Sequence, residues 1–198
     1  MQRRSVETHN HILNTAIDLF SRSGYESTSV AEICQEAGVS KGAFYHHFPS
    51  KQDVFLELLS SWLELLDMQM TIIQEEAKNV PDALLNMAGL MEQMFQQASG
   101  RLPMFLEFWT QASHDPTVWK AVIAPYQRYQ EYFKTLVNNG ITDGTLKANN
   151  PEATSRTLVA LGIGLLLLGV LEVREKQSMD IPSYSIKLLL EGIAEAKA

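Results

Sequence analysis

Residues with low helix cost recur at helical spacing along almost the whole chain, and glycine and proline punctuate them. Long stretches of Leu, Met, Ala, Glu and Gln are separated at Gly24, Gly38, Pro49, Pro81 and the segment 140–150. Strand-like alternation is scarce. The pattern predicts an all-α chain of about nine helices. A length of 198 residues is enough for a buried core without disulfide or metal staples. The single cysteine, Cys34, excludes an internal disulfide and any cysteine-built metal site, and fits a reducing compartment. It shares an apolar stripe and reads as a small buried hydrophobe.

The first helix is placed at about 6–23. Ile12, Leu13, Ala16, Ile17, Leu19 and Phe20 form its stripe, and Gly24 ends it. Ser29-Val-Ala-Glu32 reads as a capping box that opens a second helix, ended by Gly38. Ser40 caps a short third helix from Lys41 to about His47, and Pro49 blocks its continuation. Ser50-Lys-Gln-Asp53 opens a long amphipathic helix carrying Val54, Phe55, Leu58, Leu59, Trp62, Leu65 and Leu66.

Further helices are predicted at about 82–98, 102–113, 117–139, 150–176 and 183–196. Pro125 should kink or break the third of these. Asn150-Pro-Glu152 is a helix start, with a cap followed by proline in the first turn. The apolar run Leu158 to Leu171 is shorter than the roughly 20 residues of a membrane span and reads as a buried helix. Met1 to Leu13 lacks the apolar core of a signal peptide. Together these predict a cytoplasmic protein with no membrane partner.

Charge is unevenly distributed. The chain carries −7 overall. Residues 1–52 balance five basic side chains (Arg3, Arg4, Arg22, Lys41, Lys51) against five acidic ones and hold four of the five histidines. The whole net charge therefore lies in residues 53–198. One end is compatible with a polyanion and the other is not.

Residues 29–48 have the spacing of a helix-turn-helix. Gly38 permits the tight turn, and Ala37 and Val39 keep the two helices close. Gly42 and Ala43 are small enough to let the backbone approach base edges. Around them Ser40, Lys41, Tyr45, His46 and His47 offer donors to phosphates or bases. Lys51, at the start of the fourth helix, suits a phosphate, as do Thr28 or Ser29 at the start of the second. Arg3 and Arg4 either trail into a groove or form a loose tail. Phe44 and Phe48 point inward. No metal is expected at His46–His47, because adjacent helical side chains diverge.

The segment from Thr28-Ser-Val-Ala-Glu-Ile-Cys through Gly38-Val-Ser-Lys-Gly42 and Phe44-Tyr-His-His-Phe48 to Ser50-Lys51 resembles the DNA-binding signature of TetR-family transcriptional repressors. The resemblance covers about 45 residues. It implies a three-helix DNA-binding domain at 1–50 and a helical ligand-binding and dimerisation domain at 51–198. It also implies a homodimer that sets two recognition helices on a palindromic double-stranded operator. A small-molecule effector in the larger domain would reorient the two heads. Matching positions in the family make Tyr45 and His46 phosphate contacts.

Two groups of residues in the larger domain follow. Trp62, Met68, Met91, Phe95, Phe105, Phe108, Trp109 and Tyr126, with Met87, Met94 and Met104 nearby, form a soft, aromatic set suited to an apolar or aromatic effector, or to plain core. Glu107 is the odd charge among them and reads as solvent-facing, or as an answer to a cationic ligand. Leu158, Leu161, Gly162, Leu165, Gly169, Ile186, Leu190 and Ile193 are the candidate dimer interface, with Gly162, Gly164 and Gly169 permitting close helix approach.

No catalytic constellation or cofactor motif is present: no Gly-x-Ser-x-Gly, no His-Glu-x-x-His, no phosphate loop. An enzyme is therefore not expected. A helical adaptor with a vestigial helix-turn-helix is disfavoured by the intact Ser40, Lys41, Tyr45 and Lys51. A constitutive regulator without effector and an activator of the same fold both stay open.

Overall fold

A computed structural model describes residues 2–97, 103–147, 150–172 and 180–193, without the side chains of 2–3, 95–97, 103–105, 170–172 and 193. The described residues form nine helices: α1 (Gln2–Ser23), α2 (Val30–Glu36), α3 (Lys41–His47), α4 (Lys51–Glu76), α5 (Val80–Gln97), α6 (Pro103–Ala112), α7 (Pro116–Thr142), α8 (Pro151–Glu172) and α9 (Ile181–Ile193).

Local chemistry explains the boundaries. Ser29 Oγ accepts from the Glu32 amide while the Glu32 carboxylate accepts from the Ser29 amide, so the predicted capping box is complete. At the other end of α2, Gly38 adopts φ +62°. The Val39 amide bonds the Cys34 carbonyl and the Gly38 amide bonds the Gln35 carbonyl. This left-handed stop strongly favours glycine. Ser40 caps α3, and Ser50 accepts from the Asp53 amide at the start of α4. Asn150 caps α8 through the Ala153 amide, ahead of Pro151.

Two boundaries differ from expectation. Pro81 lies inside the first turn of α5, where Asn79 Oδ1 accepts from the Asp82 amide. A proline is tolerated there because its missing N–H would have had no partner. Pro125 lies inside α7, which continues through it to Thr142. The proline removes one ladder bond of many in a 27-residue helix whose apolar residues are buried on both sides of it along the chain.

The chain forms two compact units. The first comprises Met1–Glu64 and Gly100–Val122. Its core joins Ile12, Ala16 and Phe20 of α1, Ile33 and Cys34 of α2, Phe44 and Phe48 around α3, Val54, Phe55 and Leu59 of α4, and Phe108 and Ala112 of α6. The rings make a chain of contacts, with Tyr25 4.5 Å from Phe55 and Phe55 4.7 Å from Phe108. The helix-turn-helix thus shares its core with α6, which lies beyond residue 50. Two corrections follow. Phe108, expected among the effector residues, is part of the buried core of the first unit. Glu107 does not face away into solvent: its carboxylate lies beside Gly24, 3.3 Å from where a β-carbon would sit.

The second unit comprises Leu65–Ser99 and Ile123–Ala198. Leu84 and Ala88 of α5, Leu136 and Val137 of α7, Leu158 of α8, and Ile186 and Leu190 of α9 form its core. Polar ties fix these helices to one another: the Ser183 amide donates to Glu92, and Lys134 pairs with Glu152 at 3.0 Å.

The packing corrects the expected dimer residues. Leu158, Leu165, Ile186 and Leu190 are buried within this chain and so are not available to a partner. Leu161 is half-buried against the same core, and Gly162 faces Met91 of α5. The half-buried Gly169 keeps its place as a candidate. The side chain of Ile193 lies outside the described residues. Among the described residues, the exposed large apolar side chains of these helices are Leu167 and Leu168 on α8 and Tyr184 and Leu188 on α9. By length and composition, Pro151–Gly169 is also sufficient to cross a membrane, because helical residues ahead of the apolar run extend it.

Candidate DNA-binding site

The third helix presents one polar face. Phe44 is buried and anchors α3 from beneath, and Phe48 closes its end. On the opposite side Lys41, Gly42, Tyr45 and His46 are exposed, and Ala43 is half-buried. Tyr45 has 54% of its surface free although it is a large aromatic residue. Its ring stands edge-on to Phe44. Four potential contact residues within a single turn and a half of helix form a compact surface for groups spaced like phosphates and base edges.

Gly42 is informative. A β-carbon there would meet nothing closer than Ser40 Oγ at 3.8 Å, and its φ is ordinary. Glycine within a helix costs up to about 1 kcal/mol relative to alanine. Nothing inside the folded chain requires that cost. A backbone that must lie close against another molecule does.

The other candidates are placed differently. Ser40 uses its hydroxyl to cap α3 through the Ala43 amide at 3.1 Å. Ser29 uses its own in the capping box. Thr28 needs correction as a phosphate contact. It is 2% exposed, its hydroxyl donates to the Gly24 carbonyl at 2.8 Å, and its amide bonds Tyr25. His47 is half-buried and sits edge-on to His9, with ring centres 5.7 Å apart. Burial, then the neighbouring His46 and His9, holds its imidazole below the usual histidine range. His9 in turn stacks on Phe48 at 4.6 Å, and its Nε2 is 3.1 Å from the Glu57 carboxylate.

Lys51 is half-buried. Its Nζ donates to the carbonyls of Tyr25 at 2.7 Å and Thr28 at 2.9 Å, and it lies 4.1 Å from the Tyr25 ring centre. Burial lowers the ammonium below its usual range, opposed by the carboxylates of Glu26, Glu107 and Glu32. Glu107 is thus one of three carboxylates whose charge acts on Lys51. Beside it Gln52 donates to Asp115, which caps α7 through the Thr117 and Val118 amides. This polar junction was not foreseen from sequence, because its members are up to 63 residues apart.

The residues proposed for an effector are divided between the units. Trp62, Phe108 and Trp109 belong to the first, and Met68, Met91 and Tyr126 to the second. Met68 and Trp109 are exposed, while Met91 and Tyr126 are half-buried. The side chains of Phe95 and Phe105 lie outside the described residues. Tyr132, not among the expected effector residues, has a buried hydroxyl with no hydrogen-bond partner among the described residues.

Fold and site define a helix-turn-helix DNA-binding protein, and comparison with known proteins agrees. Residues 12–58 match the model of bacterial regulatory proteins of the tetR family, and residues 87–181 match that of the C-terminal part of BetI-type transcriptional repressors. The chain is 47% identical to the transcriptional regulator AcrR of Shigella flexneri over 57 residues, 29% of this chain and 26% of that one. It is 24% identical to the regulator UidR of Escherichia coli over 167 residues, 84% of this chain and 83% of that one. The first of these matches therefore spans about a quarter of the relative's length. Among solved structures, a transcriptional regulator from Saccharomonospora viridis in complex with choline superposes with a TM-score of 0.83 at 23% identity, over 96% of this chain and 100% of that one. One from Agrobacterium tumefaciens gives 0.81 at 22%, over 96% and 100%.

The chain belongs to the TetR family of transcriptional regulators. Residues 12–58 are its DNA-binding regulator region.

Proposed function

We propose that the protein is a cytoplasmic repressor that binds a palindromic operator as a homodimer and is released by a small organic effector. The observation that carries this reading is the α3 face, where Gly42 has no structural reason within the chain and lies among exposed Lys41, Tyr45 and His46. Lys41 serves a guanine edge or a phosphate, and Tyr45 and His46 serve phosphates. The match of residues 87–181 to BetI-type repressors supports repression.

Self-association uses the outer faces of α8 and α9. Leu167, Leu168, Tyr184 and Leu188 are large, apolar and exposed. Such a surface is suited to an isologous partner helix pair, and this role accounts for the apolar character of α8 without a membrane.

The effector site belongs to the second unit, where Met91 and Tyr126 stay half-buried. Tyr132 adds a buried, unpartnered hydroxyl that a ligand with a polar group would satisfy. The choline complex of the Saccharomonospora viridis regulator supports a small organic ligand in this fold. Aromatic rings suit a quaternary ammonium as well as a flat apolar molecule.

The test is fluorescence anisotropy of labelled DNA from upstream of the protein's own gene, with and without choline and a panel of apolar aromatics. Binding to that DNA over random DNA, and release by one ligand class, is the expected result. Equal binding to random DNA defeats the operator reading. Operator binding that no ligand changes leaves a constitutive regulator.

A further inference from the structure

We infer that Lys51 is a positioning residue for operator binding, not a phosphate contact: its ammonium ties the first turn of α4 to the α1–α2 turn and so fixes the helix-turn-helix on its support. The inference rests on the DNA-binding reading above and assigns one residue of that site a different task.

The geometry carries the argument. A lysine ammonium has three donors. Two of them are already committed, to the carbonyls of Tyr25 and Thr28, and the ammonium also lies over the Tyr25 ring. Here the free chain already holds the ammonium in place through two short charge-assisted bonds, and one donor is left over.

The turn is built around that cation. Gly24 adopts φ +83° and leaves α1, and its carbonyl is taken by the Thr28 hydroxyl. The two Lys51 bonds occupy the carbonyls of Tyr25 and Thr28, and Ser29 follows immediately as the cap of α2. Three carbonyls of one short turn are thus satisfied from within the chain, two of them by a residue 26 and 23 positions away. The Tyr25 ring beneath the ammonium packs on Phe20 and Phe55. An ion pair between α1 and α2, Arg22 with Glu36 at 2.9 Å, joins two exposed side chains. Exposed pairs of that kind contribute little. Lys51 supplies a half-buried polar link between α4 and the entry of the helix-turn-helix.

The salt dependence of DNA binding separates the two roles. Each phosphate contact contributes about 0.9 to the slope of log affinity against log salt. Operator affinity is measured by anisotropy across a salt series for wild type, Lys51→Met and Lys41→Met, after circular dichroism establishes that each variant is folded at the assay temperature. Lys51→Met is expected to weaken binding about tenfold, the loss typical of a charge-assisted bond, with the wild-type slope retained. Amide exchange in residues 25–32 should accelerate in the same variant. Lys41→Met provides the comparison, with a slope smaller by about 0.9 per head if that lysine meets phosphate.

A slope reduced by about 0.9 per head in Lys51→Met overturns the inference, and so does unchanged affinity. If that variant does not fold, amine acylation of the wild-type protein decides, read by mass spectrometry with and without operator. Lys51 should react slowly in both states. Rapid reaction in the free protein with protection on DNA assigns it to phosphate instead. Wild type that binds no DNA in a salt-dependent way defeats the DNA-binding reading itself and is distinguishable from all of these.

Discussion

The α2–α3 pair and the α8–α9 pair distribute their apolar residues in opposite ways. In α2–α3, two seven-residue helices bury Ile33, Cys34 and Phe44, and their outer surface is polar or small. In α8–α9 the inner face buries Leu158, Leu165, Ile186 and Leu190, and the outer face still carries Leu167, Leu168, Tyr184 and Leu188. Both pairs are amply supplied with core. They differ in what they offer outward: a thin, hydrogen-bonding surface in one, an apolar surface in the other. The first suits a hydrated polyanion, whose contacts are made chiefly through phosphates. The second suits a copy of itself.

The pairs also differ in what holds them. Helices of seven residues are too short to be stable alone. Those of α2–α3 depend on caps, the Gly38 stop and a few inward rings. Emptying one of these should have the largest effect. Phe44→Ala removes a fully buried ring at the centre of α3 and is expected to destabilise the first unit by about 3–5 kcal/mol. Denaturant unfolding measures it. A loss well under 1 kcal/mol would mean that α3 is not held by its core.

Next in size is a change to the outer face of α9. Leu188→Glu places a charge where 53% of the leucine is exposed in the single chain. The monomer should keep its stability. Self-association should weaken at least about 100-fold, equivalent to roughly 2.7 kcal/mol. Sedimentation and operator affinity should report the change together. A dimer of unchanged strength would place the interface elsewhere and remove the contrast between the two pairs.

A smaller effect tests the local chemistry of the head. Ser29→Ala removes the hydroxyl half of the α2 capping box and leaves the residue-29 amide to the Glu32 carboxylate; it should cost about 1 kcal/mol. The expected signature is faster amide exchange at the start of α2 with little change elsewhere.

The smallest concerns pH. Burial keeps the His47 imidazole below its ordinary value of 6.5, so between the two values the unfolded chain binds more protons than the folded one. Stability from this group is fully present above that ordinary value and is lost as pH falls through the folded one. His47→Gln should flatten the decline in stability between about pH 7 and pH 5.5. A decline that persists unchanged in the variant would assign it to other groups.

The caps explain why the first region was so legible. Ser29 with Glu32, Ser40 with Ala43 and Gly38 with Gln35 act over three residues, and the groups that matter stand next to the backbone groups they satisfy. The exposed face of α3 follows from the same periodicity. In α8 that reasoning had no purchase. A helix apolar on every side has no face marked for the inside, and so Leu158 and Leu165 were taken for contacts with a partner when they are this chain's own core.

The sequence by itself determined the all-helical architecture, the stops at Gly24 and Gly38, the capping residues and the donor-rich turn at Lys41 to His46, because each depends on neighbours within about one helical turn. Only the tertiary structure decided which leucines of α8 and α9 look outward, that Phe108 closes an aromatic core with Phe55, and that Lys51 turns back to Tyr25 and Thr28. These outcomes depend on groups far apart in the chain, 26 and 23 residues in the case of Lys51. No local pattern encodes them, because burial and pairing are properties of the surface that the rest of the chain presents.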